Sequence, residues 1–170
     1  DGCVGGSNAY PITLDPSEIW TPDIELLNAA TIPDIYTLKG GLYLYSDGSQ
    51  LWSMPTVYKF SCSLELREFP FDIQTCIMRF GSWSYDNELL YVTRHGDINT
   101  QIDVLDSFSH SEWNLNSYYS TAVNETRDCC GDKLFSVNEY YFVLERFTHY
   151  YKLNMGMTIS LVIVSFIIML

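Results

Sequence analysis

The stretch that decides the fold is CSLELREFPFDIQTC, Cys62 to Cys76. Two cysteines enclose thirteen residues, with Phe69-Pro70-Phe71-Asp72 between them. The chain alternates as it enters this stretch. Tyr58, Phe60, Cys62, Leu64 and Leu66 fall on one side of an extended chain, and Lys59, Ser61, Ser63, Glu65 and Arg67 on the other. That pattern predicts a half-buried strand. A disulfide closing about fifteen residues contributes about 3 kcal/mol in the chain-entropy view. It accounts for the cysteines but not for the middle. A loop that merely closes on itself favours polar turn residues, whereas two phenylalanines around a rigid proline offer a contact surface.

Outward from this loop the pattern stays β-like. LYLYSDGSQLW, Leu42 to Trp52, places Asp47-Gly48 between apolar runs, a hairpin signal. CIMRFGSW from Cys76 and NEYYFVLERF from Asn138 are aromatic-rich strand candidates. Pro11, Pro16, Pro22, Pro33, Pro55 and Pro70 all precede residue 71 and punctuate loops or strand edges. No long helical period occurs before residue 150. Short strands with regular turns predict a mainly β, immunoglobulin-like sandwich.

The C-terminal end has a different character. MGMTISLVIVSFIIML, Met155 to Leu170, is uncharged and apolar throughout. Its sixteen residues fall short of the roughly twenty that cross a bilayer. We read it as the start of a transmembrane helix, the alternative being a buried C-terminal helix. The expected organisation is a β-domain over residues 1–150, lacking its N-terminal part, and a first membrane helix beginning in 151–170. The chain is thus expected to be internal to a longer protein.

The 170 residues carry a formal net charge of -12, with 21 acids against 9 bases. Phosphate binding needs clustered Lys and Arg, so this balance argues against a nucleic-acid partner. An acidic surface raises the local concentration of small cations, or serves solubility alone. Five cysteines and the acceptor sequence Asn124-Glu125-Thr126 suit an oxidising, glycosylating compartment. Cys3 either pairs outside this sequence or remains a thiol.

The loop Cys62 to Cys76, read as C-x-L-x-L-x-x-F-P-F-D-x-x-x-C, resembles the signature loop of the Cys-loop pentameric ligand-gated ion channels. Other segments agree in order. IWTPDIELLNAA, Ile19 to Ala30, resembles the family's W-x-P-D segment, and DGSQLWSMPTVYKFSC resembles the hairpin that feeds the loop. FGSWSYD, Phe80 to Asp86, and adjacent Cys129-Cys130 resemble the nicotinic acetylcholine receptor branch. LERFTHYYKLN, Leu144 to Asn154, resembles the join to the first membrane helix.

The resemblance implies a pentamer of like subunits in the plasma membrane, homomeric or heteromeric, in contact with lipid. The β-domain would be extracellular, with a postsynaptic place among those open to it, and a small-molecule agonist would bind between subunits to open a cation-selective pore. It implies that Phe69, Pro70, Phe71 and Asp72 press on the channel domain. It also implies that Arg146 pairs with acidic residues there, although an arginine beside a membrane end also serves as a headgroup anchor. Trp83 would face the ligand, since an indole attracts a cation by about 0.5 to 2 kcal/mol; the alternative is a core tryptophan. Cys129 and Cys130 would form a vicinal disulfide on the loop that closes over agonist; the alternative is two reduced or separately paired cysteines. Tyr85 adjoins Trp83.

The sequence departs from the family at several of these places. Leu27, Arg127 and Phe135 occupy three positions where the nicotinic pattern has aromatic residues, tyrosines at the last two. Arg127 would repel a cationic agonist or pair with Asp128 or Asp132, which opens anionic or zwitterionic ligands. Tyr85, Trp113, Tyr118 and Tyr119 are aromatics available to the site from nearby segments. Thr158 stands where the family's first helix carries a proline, predicting a straighter helix. Two rival readings remain: a structural subunit that binds no agonist, and a single-span receptor with an unrelated sandwich.

No enzyme chemistry is visible. His95, His110 and His149 lack metal-ligand spacing, and Asp97, Asp103 and Asp106 lack a calcium-loop pattern. There is no glycine-rich phosphate loop or nucleophile-and-base arrangement, and no cofactor is expected.

Overall fold

A computed structural model describes residues 10–31, 34–35, 41–94 and 109–169. Cys3, His95, Asp97, Asp103 and Asp106 lie outside the described residues.

The described chain is mainly antiparallel β-structure followed by one helix. Strands β1 (Ile12–Leu14), β4 (Leu42–Leu44) and β5 (Gln50–Trp52) form one sheet in the order β1-β4-β5. The strands β2 (Ile24–Leu26), β7 (Ile73–Ser82), β8 (Trp113–Thr126) and β9 (Leu134–Arg146) form a second, ordered β2-β7-β9-β8. A small pair joins β3 (Asp34–Ile35) to β6 (Thr56–Val57). Residues of β2, β4 and β5 line a cleft of about 1210 Å³.

The turn signal in DGS holds. Gly48 has φ 85°, open to glycine at little cost, and the Asp47 carboxylate accepts from the Ser49 amide at 2.9 Å. Strands β7 and β9 follow the aromatic runs, paired from Ile73–Glu145 to Gly81–Val137. Their shared ladder carries much of the core: Cys76, Phe135 and Val137 are buried with Leu26 and Leu42. Asn28 ties the chain after β2 to β7, donating to the Ile77 carbonyl at 2.7 Å and accepting from the Arg79 amide at 3.1 Å. Gly81 sits where β2, β7 and β9 meet. A Cβ there would lie 3.0 Å from the Ser136 carbonyl oxygen and 3.3 Å from Val137 Cγ2.

One expected strand does not form. Among YKFSCSLEL, only Phe60 makes a bridge, to Ala29. The alternation persists through Cys62, but Leu64 and Leu66 are exposed. The reason lies in the backbone bonding. Glu65 donates its amide to Gln74 Oε1 at 2.9 Å, and its carbonyl accepts from Gln74 Nε2 at 2.8 Å. A side chain thus takes the groups a neighbouring strand would have paired. The Cys62–Cys76 disulfide is formed, with Cα atoms 5.2 Å apart. The Phe69-Pro70 peptide at the loop tip is cis.

Helix α1 runs from His149 to Met169, starting just ahead of the expected boundary. Its 21 residues span about 31 Å at the α-helical rise, close to a hydrocarbon core, and its most apolar 18-residue stretch has mean hydropathy 1.8. The helix continues through Thr158, whose hydroxyl donates to the carbonyls of Asn154 and Met155 at 3.0 and 2.9 Å.

Gly81→Ala is expected to destabilise the β-domain by about 1 to 3 kcal/mol, because the new methyl meets main chain that cannot swing away. Thermal unfolding of the detergent-solubilised protein, followed by near-ultraviolet circular dichroism, checks this. An unchanged midpoint would mean that β9 shifts to make room.

Candidate functional site

Trp83 follows β7 on a turn held by Asp23 of the W-x-P-D segment. Asp23 accepts from the Ser82 hydroxyl at 2.6 Å and from the Ser84 amide at 2.9 Å. The Ser82 oxygen accepts in turn from the Tyr85 amide at 2.8 Å. Burial raises the Asp23 carboxyl, but the Ser82 and Ser84 bonds together outweigh it and leave the group below its ordinary value. The turn leaves the Trp83 ring 66% exposed. Trp20 packs edge-on against Tyr85 at 5.9 Å.

The β8–β9 hairpin brings Arg127 to this turn. Glu125 lies opposite Phe135 in the ladder, so Arg127, two residues on, is the diagonal neighbour of Phe135. Its guanidinium carbon stands 4.1 Å from the Phe135 ring centroid and 5.5 Å from that of Trp83. One terminal nitrogen donates to the Trp83 carbonyl at 2.8 Å and the other to the Ser82 carbonyl at 2.9 Å. Nε lies 3.5 Å from Glu125. The expected pairing with Asp128 or Asp132 is thus replaced by Glu125. Lys133 makes a second tie across the same gap, to Asp86 at 2.5 Å. That cation holds the Asp86 carboxyl below its usual range.

Several expectations change here. Cys129 and Cys130 are free thiols. They lie in a turn where the Cys130 amide donates to the Arg127 carbonyl at 3.0 Å and Gly131 takes φ 65°. Neighbouring Cα atoms stand about 3.8 Å apart, below the range of about 4.4 to 6.8 Å that disulfides prefer, so a bond between them would be strained. Hydrogen bonding to Cys129 pushes the Cys130 thiol up. Leu27 lies against Gly81, with its amide bonded to the Arg79 carbonyl at 2.8 Å. Tyr119 instead stacks on Tyr141 at 4.6 Å, and Trp113 belongs to the opposite end of the sheet. Asn124 is exposed on β8, its side-chain oxygen accepting from Asn87 at 3.0 Å.

At that opposite end Arg146 is only 7% exposed and Asp72 2%. Arg146 Nε donates to Asp72 Oδ1 at 2.7 Å and a terminal nitrogen to Oδ2 at 3.1 Å. The other terminal nitrogen donates to Glu112 at 2.5 Å, and the Tyr151 hydroxyl donates to the same carboxylate oxygen at 2.6 Å. Trp113, paired with Arg146 in the ladder, covers the guanidinium at 4.1 Å. Phe69 meets Tyr151 edge-on at 4.9 Å, and Lys152 lies 5.0 Å from the Phe71 ring. The disulfide loop therefore touches the first turn of α1. The sequence did not single out Asp23, Glu112 or Trp113's place here. The W-x-P-D segment carried a signal for the first; the other two reach Arg146 across 34 and 33 positions.

The Arg146 hydrogen bond holds the Asp72 carboxyl at about 2, below its ordinary 3.8. A depressed folded-state value means stability fully present above about pH 4 and lost as pH falls toward 2. Asp72→Asn is expected to be less stable at neutral pH and to lose less than the native chain between pH 4 and pH 2. Unfolding midpoints at stepped pH test this. Parallel acid slopes for the two proteins would rule the pair out as a source of the acid sensitivity.

Residues 6–148 match the family model described as the neurotransmitter-gated ion-channel ligand binding domain. The chain is 33% identical over 148 residues to the neuronal acetylcholine receptor subunit alpha-4 of Homo sapiens, covering 87% of this chain and 23% of that protein. It is 33% identical over 161 residues to the subunit alpha-2 of Rattus norvegicus, covering 87% and 31%. Against the alpha-2 subunit of Homo sapiens the values are 35% over 141 residues, 82% and 26%. The chain thus spans a quarter to a third of these relatives. The family model runs across the whole β-domain, which removes the reading as an unrelated sandwich, and the family is one of ion channels rather than enzymes. With its disulfide loop, its antiparallel sheets and this match over most of its length, the chain belongs to the neurotransmitter-gated ion-channel ligand-binding domain family, among proteins similar to nicotinic acetylcholine receptor subunits.

Proposed function

We propose that the chain is part of a subunit of a pentameric ligand-gated channel in the plasma membrane, its β-domain extracellular and glycosylated at Asn124. A small-molecule agonist binds where like subunits meet, beneath the Arg127–Lys133 hairpin tip and against Trp83. The pore is cation-selective, a reading supported by the similarity to nicotinic subunits and, more weakly, by the net charge of -12.

The observation that carries this reading is the layout of two adjacent strands. Strand β7 begins next to Asp72 and ends at Ser82, beside Trp83; β9 begins near Phe135 and ends at Arg146. Each connects the aromatic cluster to the membrane junction over about 30 to 45 Å. Movement of the hairpin tip toward Trp83 therefore displaces the Phe69–Asp72 loop against Tyr151 and Lys152. A second reading, a subunit that assembles without binding agonist itself, is favoured by Arg127 on the aromatic rings.

Voltage clamp on cells expressing the full-length subunit, alone and with related subunits, tests the proposal with cholinergic, monoamine and amino-acid ligands. One ligand is expected to evoke current, and Trp83→Ala to raise its half-maximal concentration about tenfold, the loss of one well-packed aromatic contact. Asp72→Asn is expected to cut maximal current while leaving ligand binding nearly intact. Surface-expressed protein silent to every ligand in every combination would sink the proposal. Equal loss of binding in Asp72→Asn would sink the coupling role alone.

A further inference from the structure

We infer that Arg127 is a tethered cation which fills this chain's own aromatic site, so that the Trp83 face does not accept a free ammonium ligand while Arg127 is present. The inference rests on reading the Trp83 cluster as the ligand site, and names the residue that sets which ligands enter it.

A site for an organic cation needs ring faces, oxygen acceptors and nearby negative charge. All three are present and all three are used by Arg127. The rings are Phe135 and Trp83, at 4.1 and 5.5 Å from the guanidinium carbon. The acceptors are the carbonyls of Trp83 and Ser82, at 2.8 and 2.9 Å. The charge is Glu125, 3.5 Å from Nε. Two guanidinium nitrogens thereby donate to carbonyl oxygen, Nε lies beside a carboxylate, and the side chain is only 16% exposed. It is therefore too enclosed to serve as an open receptor for an anion. A free ammonium would have to displace it, leaving two carbonyls without their donors and placing two cations within a few ångströms.

Phe135 is 3% exposed, so Arg127 is also the lid over that ring. Removing the guanidinium uncovers the Phe135 face beside the already open Trp83 and frees Glu125 on one side. What remains is an aromatic, acidic pocket suited to a quaternary ammonium. Lys133 is bound to Asp86 rather than to the rings, and Arg79, the other cation nearby, is held by Glu139 and by the far oxygen of Glu125, away from the rings' guanidinium.

Full-length channel purified in detergent is titrated with tetramethylammonium by calorimetry, a measurement that needs no gating. The native protein is expected to show no saturable binding. Arg127→Gln, which keeps reach and loses charge, is expected to gain affinity at least about tenfold, as is Arg127→Ala, and the gain should vanish in Arg127→Gln with Trp83→Ala. Native protein binding as tightly as Arg127→Gln would overturn the inference. So would a folded Arg127→Gln or Arg127→Ala with no gain, or a gain that survives Trp83→Ala. Agonist-evoked current is read separately. Its absence beside a gain in Arg127→Gln counts against the channel reading alone, and its presence without any gain counts against the tethered cation alone.

Discussion

The rest of the molecule depends on one buried guanidinium. Arg146 ends β9, and its N–H groups reach Asp72 at the close of the disulfide loop and Glu112 ahead of β8. Tyr151 of the helix joins through the same Glu112 oxygen. Three stretches of the chain remote in sequence, at Asp72, Glu112 and Arg146 to Tyr151, thus meet around a single planar cation. Desolvating such a group is costly, and removing one partner of a buried pair costs about 3 to 5 kcal/mol because the other charge stays buried and alone. The arrangement is therefore nearly all-or-none. Lysine would not replace it: a point charge cannot hold Asp72 with two parallel bonds while lying flat beneath Trp113.

The same residue type does a different job at the other end of the sheet. Arg127 is held mostly by neutral acceptors, two carbonyls and two rings, with one carboxylate at 3.5 Å. Arg146 is held by two carboxylates at 2.5 to 3.1 Å. Charge-assisted bonds are roughly twice as strong as neutral ones. The end beside α1 is accordingly the fixed end of the sheet and the hairpin tip the looser one. A domain that responds to a ligand needs this asymmetry, since what must move has to be held less tightly than what must transmit.

Much of this was legible in the sequence, and the parts that were not share a cause. The hairpin at Asp47-Gly48, the strands through Cys76 and Asn138, and the loop bonded from Cys62 to Cys76 rest on local signals: a turn dipeptide, an aromatic run, a spaced pair. The strand expected at Tyr58 to Leu66 rested on alternation as well, but alternation does not say what pairs with the backbone. Here Gln74 does, through Glu65. Strand β8 was missed because much of it is polar and exposed, with period-two burial only at its start. The bond expected between Cys129 and Cys130 came from resemblance alone; the structure shows the two side by side and unbonded in the turn before Gly131. Asp23 and Glu112 act through partners far along the chain, which single-sequence reading cannot supply.

The pairing of β7 with β9 also limits how a signal can travel. Their register runs unbroken from Ile73–Glu145 to Gly81–Val137. A slip of one residue would turn Phe135 and Val137 out of the core and bring polar neighbours in, so sliding is closed off. The two strands must then move together, as a lever. At the lower end the lever meets α1 through ring edges and a lysine over a ring rather than through a ladder: Phe69 on Tyr151 and Lys152 over Phe71. Such contacts tolerate rotation that hydrogen-bonded strands do not. The stiff element therefore ends in an adaptable joint at the start of the apolar helix, which is also tied to the Arg146 cluster through Tyr151 and Glu112, so under the proposed function a tilt of the sheet would carry the helix with that cluster.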